Sequence, residues 1–133
     1  MQGDQPPLQA AKRILIVEDN ELSLKLLRDT LEAYGYQPIA ARTGAAALAL
    51  AREERPDLIL MDLQLPDISG LEAVRQLKDG AETGGIPIVA VTAFALVGDE
   101  HKALTSGCDA YVSKPIAILA FVAMVERFIG RGR

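Results

Sequence analysis

A few polar side chains follow short apolar runs of the chain, and together they could bind and transfer a phosphoryl group. They are Glu18 and Asp19 after RILIV, Asp62 after LILM, Thr92 after IVAV, and Lys114 after AYVS. Clustered carboxylates repel one another unless a cation lies between them, and oxygen ligands that leave room for water suit Mg²⁺. Carboxylates, a cation, a hydroxyl and an ammonium group are the parts needed for phosphoryl transfer onto an aspartate.

The apolar runs alternate with longer segments of helical periodicity. Strands are predicted at residues 13–17, 37–41, 58–61, 88–91 and 110–112, and helices at about 21–34, 45–54, 69–78, 99–105 and 118–129. Five βα units in succession predict a parallel sheet covered by helices on both faces. We therefore predict a three-layer α/β domain with the flavodoxin-like strand order 2-1-3-4-5. Pro38 indicates that the second strand lies at an edge of the sheet.

This sheet would bring the polar residues together, because ligands of such folds bind beyond the carboxyl ends of the strands. A single acidic residue at a strand end is usually a loop residue or a helix cap. Five residues of complementary chemistry at the ends of four strands are much harder to explain in that way. The sequence therefore predicts one site, at one rim of the sheet.

The length of 133 residues fits one domain, expected at residues 12–130 with a short tail at 131–133. Residues 1–11 are polar, contain Pro6-Pro7, and are expected to be a disordered lead-in. The net charge of -4 gives no basic surface for nucleic acid. No apolar segment approaches the length of a membrane span, no signal peptide is visible, and Cys108 has no disulfide partner. We expect a cytoplasmic protein in which Cys108 fills a buried space.

Four segments, ILIVEDN, LILMDLQLPDISG, PIVAVTAFA and GCDAYVSKP, resemble the receiver domain of bacterial two-component response regulators. The similarity covers about residues 12–130. The runs DLQLP, TAFA and AYVSKPI further resemble DivK-like single-domain regulators and the receivers of hybrid histidine kinases. The resemblance implies a protein that catalyses only its own phosphorylation and dephosphorylation and signals by protein contact, rather than an enzyme with a separate substrate.

The resemblance also implies roles for individual residues. Asp62 would accept a phosphoryl group from the phosphohistidine of a histidine kinase or histidine phosphotransfer protein. Mg²⁺ would be held by Asp19, by Asp62 and by the Gln64 backbone carbonyl, with Glu18 acting mainly through a metal-bound water. Glu18 replaces the aspartate that many members carry. Lys114 would pair with the phosphoryl oxygens, next to a Lys114–Pro115 bond that is often cis in the family.

Further roles concern the output of the signal. Thr92, besides contacting the phosphoryl group, would form the switch pair with Tyr111. Gln64 and Phe94 would flank the approach of water and so tune the lifetime of the phosphoryl group. The face formed by helix four, strand five and helix five would contact a downstream effector. Receivers of this family exchange partners or form phosphorylation-dependent homodimers through that face.

Helix five is unusually apolar on nearly all sides. Its large apolar residues spread over about 220° of the circumference, whereas a core-facing stripe needs only about 100°. We therefore expect part of helix five to present an apolar strip to solvent, suited to protein contact. The residues concerned are Ile118, Leu119, Phe121, Val122, Met124, Val125, Phe128 and Ile129.

Three alternative interpretations stay open at this point. A haloacid-dehalogenase-type phosphatase also uses an aspartate after a buried strand, but it would carry a second aspartate where this chain has Gln64. A flavodoxin-like flavin protein would need a Ser/Thr/Gly-rich loop in place of the acidic EDNE. The chain could also be a receiver from a hybrid histidine kinase. Its start at Met1 and its end just after helix five favour a stand-alone protein.

Overall fold

Five parallel strands form one sheet in the order β2-β1-β3-β4-β5. The computed structural model describes residues 11–93 and 99–132. The strands are β1 (Arg13–Val17), β2 (Gln37–Ala41), β3 (Leu58–Met61), β4 (Ile88–Thr92) and β5 (Ala110–Ser113). The predicted sheet and strand order are confirmed, including the edge position of β2. The predicted lead-in and tail stay untested, since residues 1–10 and Arg133 lie outside the described residues.

The helices are α1 (Glu21–Ala33), α2 (Gly44–Glu54), α3 (Gly70–Asp79), α4 (Asp99–Thr105) and α5 (Ile118–Ile129). Three of them begin at a polar residue whose side chain accepts a hydrogen bond from a backbone N–H in the first turn. Asn20 accepts from Ser23, Thr43 from Ala46, and Ser69 from Glu72. These caps satisfy amide groups that have no partner within the helix, so they set where each helix begins.

The side chains of each strand point alternately to the two faces of the sheet, and each face has its own core. On one face, strand residues such as Ile16, Leu60 and Val91 pack with α1 and α5. On the other face, residues such as Val17 and Met61 pack with α2, α3 and α4. The middle of the sheet is therefore buried on both sides, which explains why β1, β3 and β4 are largely continuous apolar runs.

Of the predicted apolar strip on α5, only Leu119 and the small side chains of Ala120 and Ala123 are exposed. Phe121, Val122, Met124 and Val125 are buried, and the other large apolar residues are partly buried against the same core, with the exception of Leu119. Leu119 is 76% exposed. The buried leucines of α1 lie in the same core as α5, so the sheet is not the only element that shares this core with α5. The remaining exposed arc carries mainly alanines.

Candidate functional site

The sheet hydrogen bonds extend one step past the strands and hold the backbone of three predicted site residues. Glu18 N–H donates to the Ala41 carbonyl at 2.9 Å, and Asp62 N–H donates to the Val17 carbonyl at 3.0 Å. Across the sheet, Lys114 N–H donates to the Thr92 carbonyl at 2.9 Å. The site formed by Glu18, Asp62 and Lys114, called the acidic pocket below, is therefore positioned by the register of the strands.

Lys114 joins the two buried carboxylates of this rim. Its Nζ donates to Glu18 Oε1 and, at 3.2 Å, to Asp62 Oδ2. The side chains of Lys114, Glu18 and Asp62 are 16%, 3% and 9% exposed. Buried charges are tolerated when they are paired with an opposite charge and hydrogen-bonded. The Lys114 ammonium group does both for Glu18 and Asp62.

The other oxygen of each carboxylate is held by a backbone N–H. Asn20 donates to Glu18 Oε2 at 3.1 Å, and Gln64 donates to Asp62 Oδ1 at 2.8 Å. Both donors lie two residues after their acceptors, so each loop folds back over its own carboxylate. The orientation of Asp62 is therefore fixed by Lys114 on one side and by the following loop on the other.

The ionisation of the pocket follows from burial and pairing. Burial raises the pKa of Glu18, although the hydrogen bonds from Lys114 and the Asn20 amide oppose that change, while Asp62 adds to it. Burial also disfavours the charge of Lys114, but its hydrogen bond to Glu18 and the negative charge of Asp62 outweigh burial and raise the Lys114 pKa. Lys114 is accordingly an ammonium group at neutral pH, able to neutralise an anion in the pocket.

Four further predicted site residues, Thr92, Tyr111, Asp19 and Gln64, can be located in the structure. Thr92 is buried at the end of β4. Tyr111 is half-buried on β5, opposite Ala90, and packs against the core that faces α2, α3 and α4. Asp19 and Gln64 are exposed at the rim. Phe94 lies outside the described residues. The Lys114–Pro115 peptide bond is cis, as the resemblance implied.

The donor set of the pocket fits a small hydrated cation. Within the part of the chain that the structure describes, no group of three or more His, Cys, Asp or Glu residues is arranged to hold a metal ion. Mg²⁺ does not need such a group, because it commonly binds one or two carboxylates and retains several waters. The carboxylates of Asp19 and Asp62, with the Gln64 carbonyl, could supply oxygen donors of that kind. Glu18 adds a further carboxylate that is paired with Lys114.

Two residues near the site were missed by the sequence analysis. Arg42, in the β2–α2 connection, donates from Nη2 to the Asp19 carbonyl at 3.1 Å. Asp67, in the β3–α3 loop, accepts two backbone N–H groups of α2. Neither contact has a sequence signal, because each joins segments more than twenty residues apart. Both connect the loops of the site to the beginning of α2.

Cys108 has the predicted structural role. Its side chain is buried in the core that faces α2, α3 and α4. Burial and the neighbouring charge of Asp109 raise the pKa of the thiol to about 11, and Lys78 opposes this only in part. A thiol with that pKa carries almost no thiolate at neutral pH and is unreactive.

These features define a class of protein: a doubly wound α/β domain with an acidic pocket and one ammonium group beyond its strand ends. A family model described as the response regulator receiver domain matches residues 14–126. The chain belongs to that family. Membership of this family rules out the phosphatase and the flavin-protein interpretations.

Among the described residues, no helix has the length and hydropathy that crossing a membrane requires.

Known relatives agree with this assignment. The chain is 55% identical to the polar-differentiation response regulator DivK of Brucella anthropi, over 90% of this chain and 97% of the relative. DivK of Brucella ovis is 54% identical over the same shares. The receiver domain of sensor histidine kinase PA1611 from Pseudomonas aeruginosa superimposes with a TM-score of 0.85 at 34% identity, covering 91% of this chain and 99% of that domain. That structure is described with a magnesium ion coordinated in the active-site cleft. The predicted similarity to DivK-like receivers is confirmed, and with it a role in phosphoryl-accepting signalling.

Proposed function

We propose that Asp62 accepts a phosphoryl group from a phosphohistidine of a histidine kinase or histidine phosphotransfer protein. The observation that carries this proposal is the paired, buried Asp62 carboxylate, 3.2 Å from Lys114 Nζ at the end of the central strand. An Asp62 oxygen forms the new bond to phosphorus as the phosphorus–nitrogen bond of the donor breaks. The electron pair of that bond leaves on the imidazole nitrogen.

The chain stabilises this transfer mainly by position and charge. Gln64 N–H holds one Asp62 oxygen, and the Lys114 ammonium group lies beside the other. As the phosphoryl group arrives, Lys114 exchanges its contact with Asp62 for a phosphoryl oxygen. Thr92, at the end of the adjacent strand, supplies a hydroxyl to the same group. No residue needs to gain or lose a proton in this step.

Asp19, Asp62 and the Gln64 carbonyl would bind Mg²⁺ directly, and Glu18 would act through a metal-bound water. The ion would neutralise charge between the carboxylates and the phosphoryl oxygens. Support comes from the donor set of the pocket and from the magnesium described in the PA1611 receiver. Gln64 and Phe94 would control the access of water and so the lifetime of the aspartyl phosphate.

The output surface of the proposed switch is the face formed by α4, β5 and α5. A groove of about 340 Å³ lies there, and its lining includes Tyr111, Pro115, Ala120 and Phe121. Movement of Tyr111 together with Thr92 would change the shape of that groove. We propose that an effector protein binds this face in the phosphorylated state, with homodimerisation as the alternative outcome.

The phosphoryl donor needs a docking surface beside the pocket, and α1 provides one. Leu22 and Leu26 are 80% and 47% exposed. Leu26 also lines a mostly apolar cavity of about 420 Å³, together with Lys114 and Pro115. Because Lys114 belongs both to this cavity and to the pocket, a protein bound here would bring its phosphohistidine to Asp62. We propose the surface formed by Leu22, Leu26 and Pro115 as the donor-docking surface.

Leu22→Asp is expected to slow transfer from a phosphorylated histidine kinase by about tenfold, because a charge in an apolar contact weakens docking. Transfer from acetyl phosphate, which needs no docking surface, should be unchanged. Both rates can be measured with radiolabelled donors. Leu104→Asp, which adds the same charge on exposed α4, is the control. Equal slowing in both variants, or slowing with acetyl phosphate, would contradict the docking proposal.

The function itself is tested with acetyl phosphate and Mg²⁺, followed by intact-mass measurement. We expect a single acid-labile phosphoryl group per molecule, and none when a chelator is in excess. Phosphorylation that proceeds normally in chelator would contradict the proposed role of the metal. Absence of phosphorylation under all conditions, including with a phosphorylated histidine kinase, would contradict the proposed function.

A further inference from the structure

The loop that leaves Asp62 is tied to the beginning of α2 by Asp67. Asp67 Oδ1 accepts from Gly44 N–H at 2.8 Å, and Asp67 Oδ2 accepts from Ala45 N–H at 3.0 Å. These amides belong to the first turn of α2 and have no partner within the helix. The two hydrogen bonds lower the pKa of Asp67, so its carboxylate is charged when it makes them.

The loop also fits closely against α2. A methyl group at Gly44 would lie 2.3 Å from Ile68 Cγ1 and 3.3 Å from Asp67 Oδ1. At the base of the loop, Gly70 N–H donates to the Leu63 carbonyl at 3.1 Å. The Leu63–Gly70 hydrogen bond therefore closes the loop just before α3, and Asp67 attaches the loop to the beginning of α2.

Along the chain, Gln64 lies between Leu63, which accepts from Gly70, and Asp67, which accepts from α2. Its side chain is exposed, so packing of that side chain does not set the position of its backbone. Its N–H already holds Asp62 Oδ1, and its carbonyl is the proposed third ligand of Mg²⁺. The direction of the Gln64 carbonyl thus depends on how the whole loop is held.

We propose that Asp67 is a positioning residue for the metal: by fastening the β3–α3 loop to α2, it fixes the Gln64 carbonyl and so sets the affinity for Mg²⁺. This inference rests on the proposed function, since it assumes that Gln64 binds the ion. The simpler interpretation is that Asp67 only caps α2 and contributes to stability.

Thr43 offers a matched control, because its hydroxyl accepts from Ala46 N–H in the same turn of α2. Thr43→Ala removes a cap from this helix without removing a hydrogen bond to the loop. Isothermal titration with Mg²⁺ alone should show roughly tenfold weaker binding for Asp67→Ala, a typical effect of losing a group that orients a ligand. Thr43→Ala should bind Mg²⁺ as the unmodified chain does. Asp67→Asn, which keeps one acceptor oxygen, should be intermediate.

A second measurement needs no metal. In metal-free protein, Asp67→Ala should speed amide hydrogen exchange at Gln64, whereas Thr43→Ala should speed it only within α2. If the unmodified chain binds Mg²⁺ but Asp67→Ala binds it equally well, the inference is wrong and the proposed function stands. If Asp67→Ala and Thr43→Ala weaken Mg²⁺ binding equally, Asp67 acts only through the stability of α2. An unmodified chain that neither binds Mg²⁺ nor takes up phosphate would overturn both.

Discussion

Asp62→Asn is expected to reduce phosphorylation from a single group per molecule to none, with acetyl phosphate and with a phosphorylated histidine kinase alike. An amide is a poor nucleophile, and it also removes the negative charge that faces Lys114. The fold should persist, because Lys114 keeps its hydrogen bond to Glu18. Intact-mass measurement after a fixed incubation with Mg²⁺ gives the result directly.

Asp79→Asn makes the same chemical change at an exposed position at the end of α3, and it should be phosphorylated normally. Undiminished phosphate on the Asp62→Asn variant would place the acceptor elsewhere in the chain. Asp19, which follows β1 at the same rim of the sheet, would then be the first position to replace. Loss of phosphorylation in both variants would show that the assay does not distinguish one aspartate from another.

Gly70→Ala is expected to destabilise the chain by about 2 kcal/mol or more, although alanine is the better helix former by about 1 kcal/mol. The added methyl carbon would lie 2.5 Å from the Asp62 carbonyl oxygen and 2.5 Å from Leu63 Cα. Both are backbone atoms, which cannot move aside as the end of a flexible side chain can. The strain would therefore shift the backbone of the proposed phosphoacceptor, and urea unfolding followed by circular dichroism would measure it.

Gly85→Ala is the matched control, since the added methyl group would meet nothing within 4 Å apart from its own chain neighbours. Its free energy of unfolding should stay within about 0.5 kcal/mol of that of the unmodified chain. Equal stability of the Gly70 and Gly85 variants would mean that the loop after Asp62 relaxes easily. The close approach of α3 to Asp62 would then have no energetic importance.

Much of the fold and the centre of the site could be predicted because their causes are local. Strands buried on both faces appear as unbroken apolar runs, and helices begin at side chains that accept a backbone N–H, as at Asn20 and Thr43. Once a parallel sheet is predicted, the residues after its strands must share one rim. The contact of Lys114 with Glu18 and Asp62 follows from that geometry.

The features that could not be predicted depend on how distant segments pack. The exposure of α5 was overestimated because nothing in its own sequence shows that the α1 leucines share its core. The attachment of Asp67 to α2 requires the path of a loop, which residue spacing does not determine. The exposure of Leu22 and Leu26 was missed because exposed leucines outside the buried stripe do not disturb the helical periodicity of α1.

The position of Lys114 has a consequence for how an ion enters the pocket. Lys114 already acts as a counter-ion to Glu18 and Asp62. The chain therefore does not need a metal ion to neutralise these carboxylates when it folds. If Mg²⁺ binds beside Asp62 as proposed, its entry would exchange one cation for another, and Lys114 would give up part of its contact with the carboxylates. Lys114 would then be available to the incoming phosphoryl group, so we expect Mg²⁺ and the phosphoryl group to favour each other's binding.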